Sequence, residues 1–212
     1  MSVLLQAMLR VVPLSVRSQL RAHRRMSTAS LPAEAVGTAA PATDAALACD
    51  SLDLRVGRVV RAWRHPEADK LFVEEVDCGE PSGPRTICSG LVGYVEESSL
   101  ANRLVVVLAN LKARNMVGVK SFGMLLAASD EAHENVALLS PPEGAVVGER
   151  VRFGDGPQAP ADSENKVQKK KLWEAVQPDL RTTAEGAAEW KGLPMLTSAG
   201  AVKATLLNGR IS

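Results

Sequence analysis

Residues 104–129 read LVVVLANLKARNMVGVKSFGMLLAAS. The first five residues are strongly strand-forming, and a second apolar run closes the segment. Residues 98–129 contain no acidic side chain but four basic ones, in a chain whose formal net charge is +1. Glycines that admit close backbone approach, and Met and Phe side chains that can stack, lie among these charges. The segment predicts a nucleic-acid-binding loop between two strands, with a solvated connector beside an edge strand as the alternative.

The segments around this loop predict an all-β fold. Strands are expected at residues 52–63 with a bend at Gly57, then at 71–78, 85–91, 103–108 and 120–128, with a short helix at 95–101. Five short strands with one helix between the third and fourth are the pattern of a five-stranded OB barrel. Two further strands at 135–139 and 149–153 complete an OB domain over residues 51–153.

The remaining 154–212 segment is expected to form a C-terminal α+β extension. It begins with a connector to residue 165, continues with a helix at 166–177, and ends with apolar side chains spread over 187–211. Those apolar side chains need a surface to bury them. We therefore expect the extension to pack on the barrel.

The N-terminal 30 residues have the composition of an organelle transit peptide. They carry five arginines and no acidic residue, and a helix here would place the arginines opposite an apolar face. A disordered basic tail is the alternative. The apolar run is too short to span a membrane, and residues 31–50 have the composition of a linker. The sequence thus predicts a mitochondrial or plastid protein, with a cytoplasmic form if translation starts at Met26.

Charge and cysteine usage argue against nucleic-acid binding by bulk charge, a disulfide framework and a zinc site. Residues 51–160 carry 12 basic and 15 acidic side chains, so a nucleic-acid site must be a local patch. Three cysteines, Cys49, Cys78 and Cys88, without a Cys-x-x-Cys pair, indicate reduced thiols and no metal site. We predict no cofactor.

Enzymatic motifs are also missing from the sequence. It contains neither a phosphate-binding loop nor a nucleophile elbow, and Cys88 has no evident catalytic partner. His65 beside Asp69 and Lys70 could transfer protons, but Pro66 favours a turn there. We therefore predict no catalytic residue and no enzymatic activity.

Five motifs, in this order, resemble the tRNA-binding domain, an OB module appended to methionyl- and tyrosyl-tRNA synthetases. It is also found in the synthetase-complex cofactor related to endothelial monocyte-activating polypeptide. The motifs are Leu52-Asp-Leu-Arg-Val-Gly57, His65-Pro-Glu-Ala-Asp-Lys-Leu71, Arg85-Thr-Ile-Cys-Ser-Gly-Leu91, Asn110-Leu-Lys112 and Val119-Lys-Ser-Phe-Gly-Met-Leu-Leu-Ala127.

The C-terminal extension also resembles one branch of that family. Lys169-Lys-Lys-Leu-Trp173 and Gln177-Pro-Asp-Leu180 are similar to the extension of the eukaryotic, cofactor-like members. In that branch the extension covers the barrel face that bacterial members use to dimerise. The resemblance therefore implies a monomer.

The resemblance implies a non-catalytic protein that binds tRNA in trans, as an aminoacyl-tRNA synthetase cofactor or a tRNA carrier. It would recognise the shape and backbone of the RNA with little sequence specificity. The alternative is a protein-interaction, chaperone-like or cytokine-like module on the same fold. Residues expected to contact RNA are the charged side chains Lys112, Arg114 and Lys120, the flanking Asn110, Ser121 and Met124, and Arg85 and Ser89 on the third strand. Lys112 and Arg114 could instead be solvated loop charges, and Met124 could belong to the core.

Overall fold

The computed structural model describes residues 48–212. The predicted transit peptide at residues 1–30 and the linker up to residue 47 lie outside the described residues. Residues 48–50, which the sequence analysis assigned to the linker, are helical, and Cys49 is buried in the core. The folded unit therefore includes residues ahead of Ser51.

Short strands make up most of the regular structure. In the barrel region they are β1 Leu54–Arg64, β2 Phe72–Asp77, β3 Arg85–Ser89, β4 Leu104–Leu108, β5 Arg114–Met116, β6 Val119–Ser121, β7 Met124–Leu125, β8 Ala127–Ser129, β9 Val136–Leu138 and β10 Arg152–Phe153, with a 3-10 helix at Glu97–Ser99. The extension contains α1 Glu164–Lys170, α2 Leu172–Val176, a 3-10 helix at Gln177–Asp179, β11 Leu180–Thr182, β12 Ala188–Trp190, β13 Leu193–Thr197, β14 Gly200–Ala201 and β15 Arg210–Ile211.

The long strand β1 organises the barrel sheet, whose strand order is β3-β2-β1-β4-β7. Its first half pairs with β4 and its second half with β2, both antiparallel. Gly57 lies just before the change of partner. A Cβ atom there would lie 2.6 Å from Val76 Cγ1 and 2.9 Å from Val107 Cγ2. The tight interior at this point therefore requires glycine.

Strand β6 fills the gap between the two edges of this sheet. The Phe122 N–H donates to the Thr86 carbonyl oxygen at 2.8 Å, and the Cys88 N–H donates to Ser121 Oγ at 3.0 Å. Strand β3 is thereby joined to the segment that leads into β7, and the five-stranded sheet becomes a nearly closed barrel. The predicted OB fold is confirmed.

The extension is built onto the barrel through a second sheet, ordered β10-β13-β12-β11-β15-β8-β9. Its last strand β15 pairs with barrel strand β8, and Ala127 and Ser212 exchange two backbone hydrogen bonds of 2.9 Å. One hydrophobic cluster contains Leu54 and Leu126 from the barrel together with Trp190 and Met195 from the extension. A separate cluster fills the barrel interior. The predicted packing of the extension on the barrel is confirmed.

Three predicted elements differ in detail from the structure. The loop after β4 contains the hairpin β5–β6, and the strand expected at 120–128 is divided into β6, β7 and β8. Between β6 and β7, Ser121 Oγ donates to the Gly123 carbonyl oxygen at 3.0 Å, which takes that carbonyl out of the ladder. Between β7 and β8 the chain changes partners, from β4 to β9 and β15. The helix expected at 166–177 begins at Glu164 and is interrupted at Lys171, whose φ of 49° is left-handed. Within residues 48–212 no helix has the length and hydropathy needed to cross a membrane.

Candidate nucleic-acid interface

The hairpin β5–β6 sets the direction of the basic side chains. Its two-residue turn consists of Val117 and Gly118, with φ of 48° and 88°. Arg114 pairs with Ser121, and Asn115 pairs with Lys120. Side chains of directly opposed residues lie on the same face of an antiparallel pair, and successive residues alternate between faces. Arg114 therefore lies on one face of the hairpin and Lys120 on the other.

His65 holds this hairpin against the turn between β1 and β2. Its ring is buried, with Nε2 lying 3.1 Å from the Met116 carbonyl oxygen and Nδ1 accepting from the Glu67 N–H at 3.1 Å. A carbonyl oxygen only accepts and a backbone N–H only donates, so Nε2 carries the proton and donates to Met116. Both ring nitrogens have protein partners. The geometry supports the turn interpretation of His65.

A cleft of about 370 Å³ separates the hairpin from the helices of the extension. The barrel wall includes Cys88, Lys112, Arg114, Met116, Ser121 and Met124. The helix wall consists of Glu164, Val167, Gln168, Trp173 and Glu174. Four of the eight residues predicted to contact RNA thus line one cleft: Lys112, Arg114, Ser121 and Met124. Lys120 does not line it, because of the hairpin register.

Lys112 and Arg114 are exposed, and neither makes an ion pair or a side-chain hydrogen bond with any residue of the 48–212 segment. Many other basic side chains are paired with carboxylates: Arg55, Arg61, Arg85, Arg152, Lys166, Arg181, Lys191 and Arg210. Cations that are not neutralised by a direct ion pair attract an external anion. The barrel wall is therefore suited to phosphate.

Arg85 was predicted to contact RNA, but its guanidinium group is hydrogen-bonded within the protein. Its guanidinium makes two hydrogen bonds to Glu80, of 2.6 and 2.7 Å, and donates to the carbonyl oxygens of Ala109 and Phe122 at 2.6 and 2.8 Å. The hydrogen bonds from Arg85 hold the pKa of the Glu80 carboxyl below its usual range. Arg85 links β3 to the segments that flank the hairpin, and its charge is neutralised locally.

Three predicted polar contacts are likewise hydrogen-bonded inside the protein. Ser89 Oγ donates to the buried Glu74 carboxylate. Ser121 Oγ accepts from Cys88 N–H and donates to Gly123, as described above. Asn110 Nδ2 donates to the carbonyl oxygens of residues 51 and 162 at 2.9 Å each, and its Oδ1 accepts from the Asp53 N–H at 2.9 Å. The side-chain donors of all three residues are therefore used within the protein, which leaves none for a phosphate oxygen.

Met124 was predicted either to contact RNA or to belong to the core, and the structure places it both against the core and at the cleft. It is half-buried, packs against the cluster between barrel and extension, and lines the cleft. Trp173 and Gln168 were missed, because the sequence placed them on a helix but gave no sign of which surface that helix covers.

Cys88 lines the cleft and is buried. Burial is the main cause that raises the pKa of this thiol, with a smaller contribution from Glu74, so the reactive thiolate is disfavoured. Among the described residues there is no group of three or more His, Cys, Asp or Glu side chains that could hold a metal ion. The barrel wall of this cleft offers cationic and apolar contact, and the helix wall adds the carboxylates of Glu164 and Glu174.

Known proteins share both this barrel and its extension. The family described as "Putative tRNA binding domain" matches residues 54–150. The chain is 47% identical over 158 residues to the aminoacyl tRNA synthase complex-interacting multifunctional protein 1 of Cricetulus griseus, a match that covers 74% of this chain and 43% of that protein. It is 48% identical over 152 residues to a probable methionine–tRNA ligase of Oryza sativa subsp. japonica, covering 72% of this chain and 19% of the ligase. The chain spans less than half the length of these curated relatives.

One solved structure shows the same architecture over a longer stretch. The crystal structure of the C-terminal domain of Plasmodium vivax p43 matches with a TM-score of 0.71 at 34% identity, and the match covers 77% of this chain and 98% of that domain. A match of this extent includes the barrel and much of the extension. The resemblance carried by the five sequence motifs is confirmed, and this chain belongs to the tRNA-binding domain family.

Proposed function

We propose that this chain is a non-catalytic protein that binds tRNA in trans, as a cofactor of an aminoacyl-tRNA synthetase or as a tRNA carrier. The observation that carries the proposal is the pair of cations at the cleft mouth. Lys112 and Arg114 are exposed on one wall, and neither is neutralised by a described carboxylate. Membership in the tRNA-binding domain family identifies tRNA as the polyanion that such a site would take.

Binding through these side chains would be chiefly electrostatic. Each phosphate that a lysine or arginine neutralises releases condensed counterions, so affinity falls as salt rises. Phosphate contacts fix position and orientation but carry no sequence information. The protein would therefore accept many tRNAs, selected by their folded shape.

No chemical step is required of this site. The two ring nitrogens of His65 are held by Met116 and Glu67, and Cys88 is a buried thiol with a raised pKa. Neither side chain is poised to act as a base or a nucleophile. This supports a binding protein whose catalytic partner is a separate chain.

We propose an aminoacyl-tRNA synthetase as that partner, since the relatives in Cricetulus griseus and Oryza sativa are named for a synthetase complex and a tRNA ligase. We also propose that the protein is a monomer. The extension covers apolar barrel residues such as Leu54 and Leu126, both with 0% exposure. A surface already buried within one chain is not available for a second copy.

The arginine-rich composition of residues 1–30 supports a further proposal, that this segment directs the protein to a mitochondrion or plastid. Fusion of residues 1–30 to a fluorescent reporter tests it. Organelle localisation is expected. A reporter that stays in the cytosol would remove the targeting proposal without affecting the tRNA-binding one.

A gel-shift assay of the full chain with bulk tRNA tests the binding function. We expect the Lys112→Ala and Arg114→Ala variants each to weaken binding severalfold. The matched control is Lys203→Ala, which removes an exposed lysine of the extension that lies outside the cleft. Binding to unfolded peptides that is unaffected by salt, together with no tRNA shift, would instead favour the protein-interaction alternative.

A further inference from the structure

The two walls of the cleft have opposite polarity. The barrel wall presents the cations of Lys112 and Arg114, while the helix wall presents the carboxylates of Glu164 and Glu174 and the amide of Gln168. All five side chains are exposed, and none has a side-chain hydrogen bond or ion pair within the described part of the chain. A ligand that satisfies both walls needs an anionic end and a hydrogen-bond-donating end.

The space between the walls is apolar and contains an aromatic ring. Trp173 is half-buried and packs on the cluster between barrel and extension, so that its ring is supported from behind. Met124 and Val167 also line this space. A supported aromatic ring beside cations is the arrangement on which single-stranded nucleic acids stack their bases.

The indole nitrogens of Trp173 and the core residue Trp190 differ in their hydrogen bonding. Trp190 Nε1 donates to the Val176 carbonyl oxygen at 3.0 Å and is buried. Trp173 Nε1 has no hydrogen-bond partner in residues 48–212. Trp190 is thus a satisfied core residue, whereas Trp173 retains a donor for a ligand or water.

We propose that this cleft binds one unpaired nucleotide of the RNA. Its phosphate pairs with Lys112 and Arg114, its base stacks on Trp173, and an exocyclic amino group of the base donates to Glu164 or Glu174. The inference rests on the proposed RNA-binding function and adds to it a subsite for a single base. The cleft volume of about 370 Å³ falls within the range of small-molecule sites.

The acidic helix wall selects among the four bases. Adenine, cytosine and guanine carry an exocyclic amino group, and a carboxylate accepts readily from such a donor. Uracil has no exocyclic amino group, and the two carbonyl oxygens that flank its single ring donor, N3–H, repel an approaching carboxylate. The subsite should therefore favour A, C or G over U, even though tRNA binding as a whole shows little sequence specificity.

Binding of short single-stranded oligonucleotides to the full chain tests this subsite. Oligo(A), oligo(C) and oligo(U) of equal length carry equal phosphate charge, so a difference between them reports the base. We expect oligo(A) and oligo(C) to bind about tenfold more tightly than oligo(U), with quenching of tryptophan fluorescence. Trp173→Leu should remove most of the quenching and weaken oligo(A) binding by about tenfold.

A second variant keeps the test independent of the packing of Trp173. Glu164→Gln combined with Glu174→Gln changes only exposed groups, and it should reduce the preference for oligo(A) over oligo(U) without weakening oligo(U) binding. Equal affinity for all three oligonucleotides, or oligo(A) binding unchanged in Trp173→Leu, would overturn the inference. If tRNA binding still depended on Lys112 and Arg114 in that case, the proposed function would stand while the base subsite would not.

Discussion

Arg114 and Trp173 line the same cleft, one from the β5–β6 hairpin of the barrel and the other from helix α2 of the extension. Neither residue belongs to a site until the extension has folded onto the barrel. Asn110 lies at this junction, where its side chain bonds the backbone of residues 51, 53 and 162. The position of the helix wall therefore depends on a buried amide next to the basic loop.

Replacing Asn110 by alanine should destabilise the whole unit. The change removes the three hydrogen bonds that this buried amide makes, and each such bond contributes about 0.5–1.5 kcal/mol. We expect the free energy of unfolding, measured by urea denaturation, to fall by at least about 2 kcal/mol. The control is Asn165→Ala at an exposed position of α1, which should change it by less than about 0.5 kcal/mol. Equal effects of the two changes would refute the junction role of Asn110.

Glu74 should make stability depend on pH. It has 0% exposure, one carboxylate oxygen lacks a partner among the described residues, and burial raises the pKa of this carboxyl from 4.5 to about 7. Between these two values the folded protein keeps a proton that the unfolded chain has lost. The contribution of protonated Glu74 is therefore complete below about pH 4.5 and is lost as the pH rises through 7.

The Glu74→Gln variant tests this linkage, because glutamine keeps the shape and carries no charge. The difference between its free energy of unfolding and that of the wild type should increase, in favour of the variant, by an amount of the order of 2–3 kcal/mol as the pH rises from 5 to 8. Urea denaturation at the two pH values measures the difference. The same pH dependence in wild type and variant would show that Glu74 does not titrate in this range.

Val117 stores strain at the tip of the hairpin. Its φ of 48° is unfavourable for a β-branched residue, and the turn that it forms with Gly118 is the kind that asparagine favours at this position. Val117→Asn should raise the free energy of unfolding by about 1 kcal/mol, as measured by denaturation. Val117→Ile, which keeps the β-branched side chain, should give no such gain. Destabilisation by asparagine would mean that the exposed valine has a packing role.

The hairpin register places Arg114 and Lys120 on different faces of the hairpin. Arg114 lines the cleft and Lys120 projects from the opposite face, although both are exposed and carry the same charge. Arg114→Ala should weaken tRNA binding severalfold, and Lys120→Ala should have a clearly smaller effect at physiological salt. Titration of labelled tRNA by fluorescence anisotropy gives both values. A larger loss for Lys120→Ala would place the RNA on the other face of the hairpin.

The barrel was predictable because its strands carry their own signals. The run Leu104–Leu108 has the strand-forming residues of a buried strand, and turn residues separate the predicted elements. The hairpin was missed because valine occupies the turn position where asparagine is the usual signal. One continuous helix was predicted over 166–177 because the left-handed residue that ends α1 is Lys171, and lysine does not signal the end of a helix as glycine or asparagine does.

The site was predictable only in part, for a different reason. Lys112 and Arg114 were identified from local charge, which does not depend on tertiary partners. Arg85 and Asn110 have residue types that suit RNA contact, but their partners come from distant parts of the chain. Trp173 enters the cleft only through the docking of the extension. A pattern of single residues cannot show which polar groups the fold will satisfy.

The salt dependence of tRNA binding measures how far Lys112 and Arg114 contact phosphate. The logarithm of the binding constant of the full chain, plotted against the logarithm of the salt concentration, should fall steeply. Removing Lys112 and Arg114 together should make that slope shallower by roughly 1.5, because each phosphate contact contributes about 0.7–0.9. A binding constant that does not change with salt, or a slope identical in the wild type and the double variant, would contradict an electrostatic tRNA interface at this cleft.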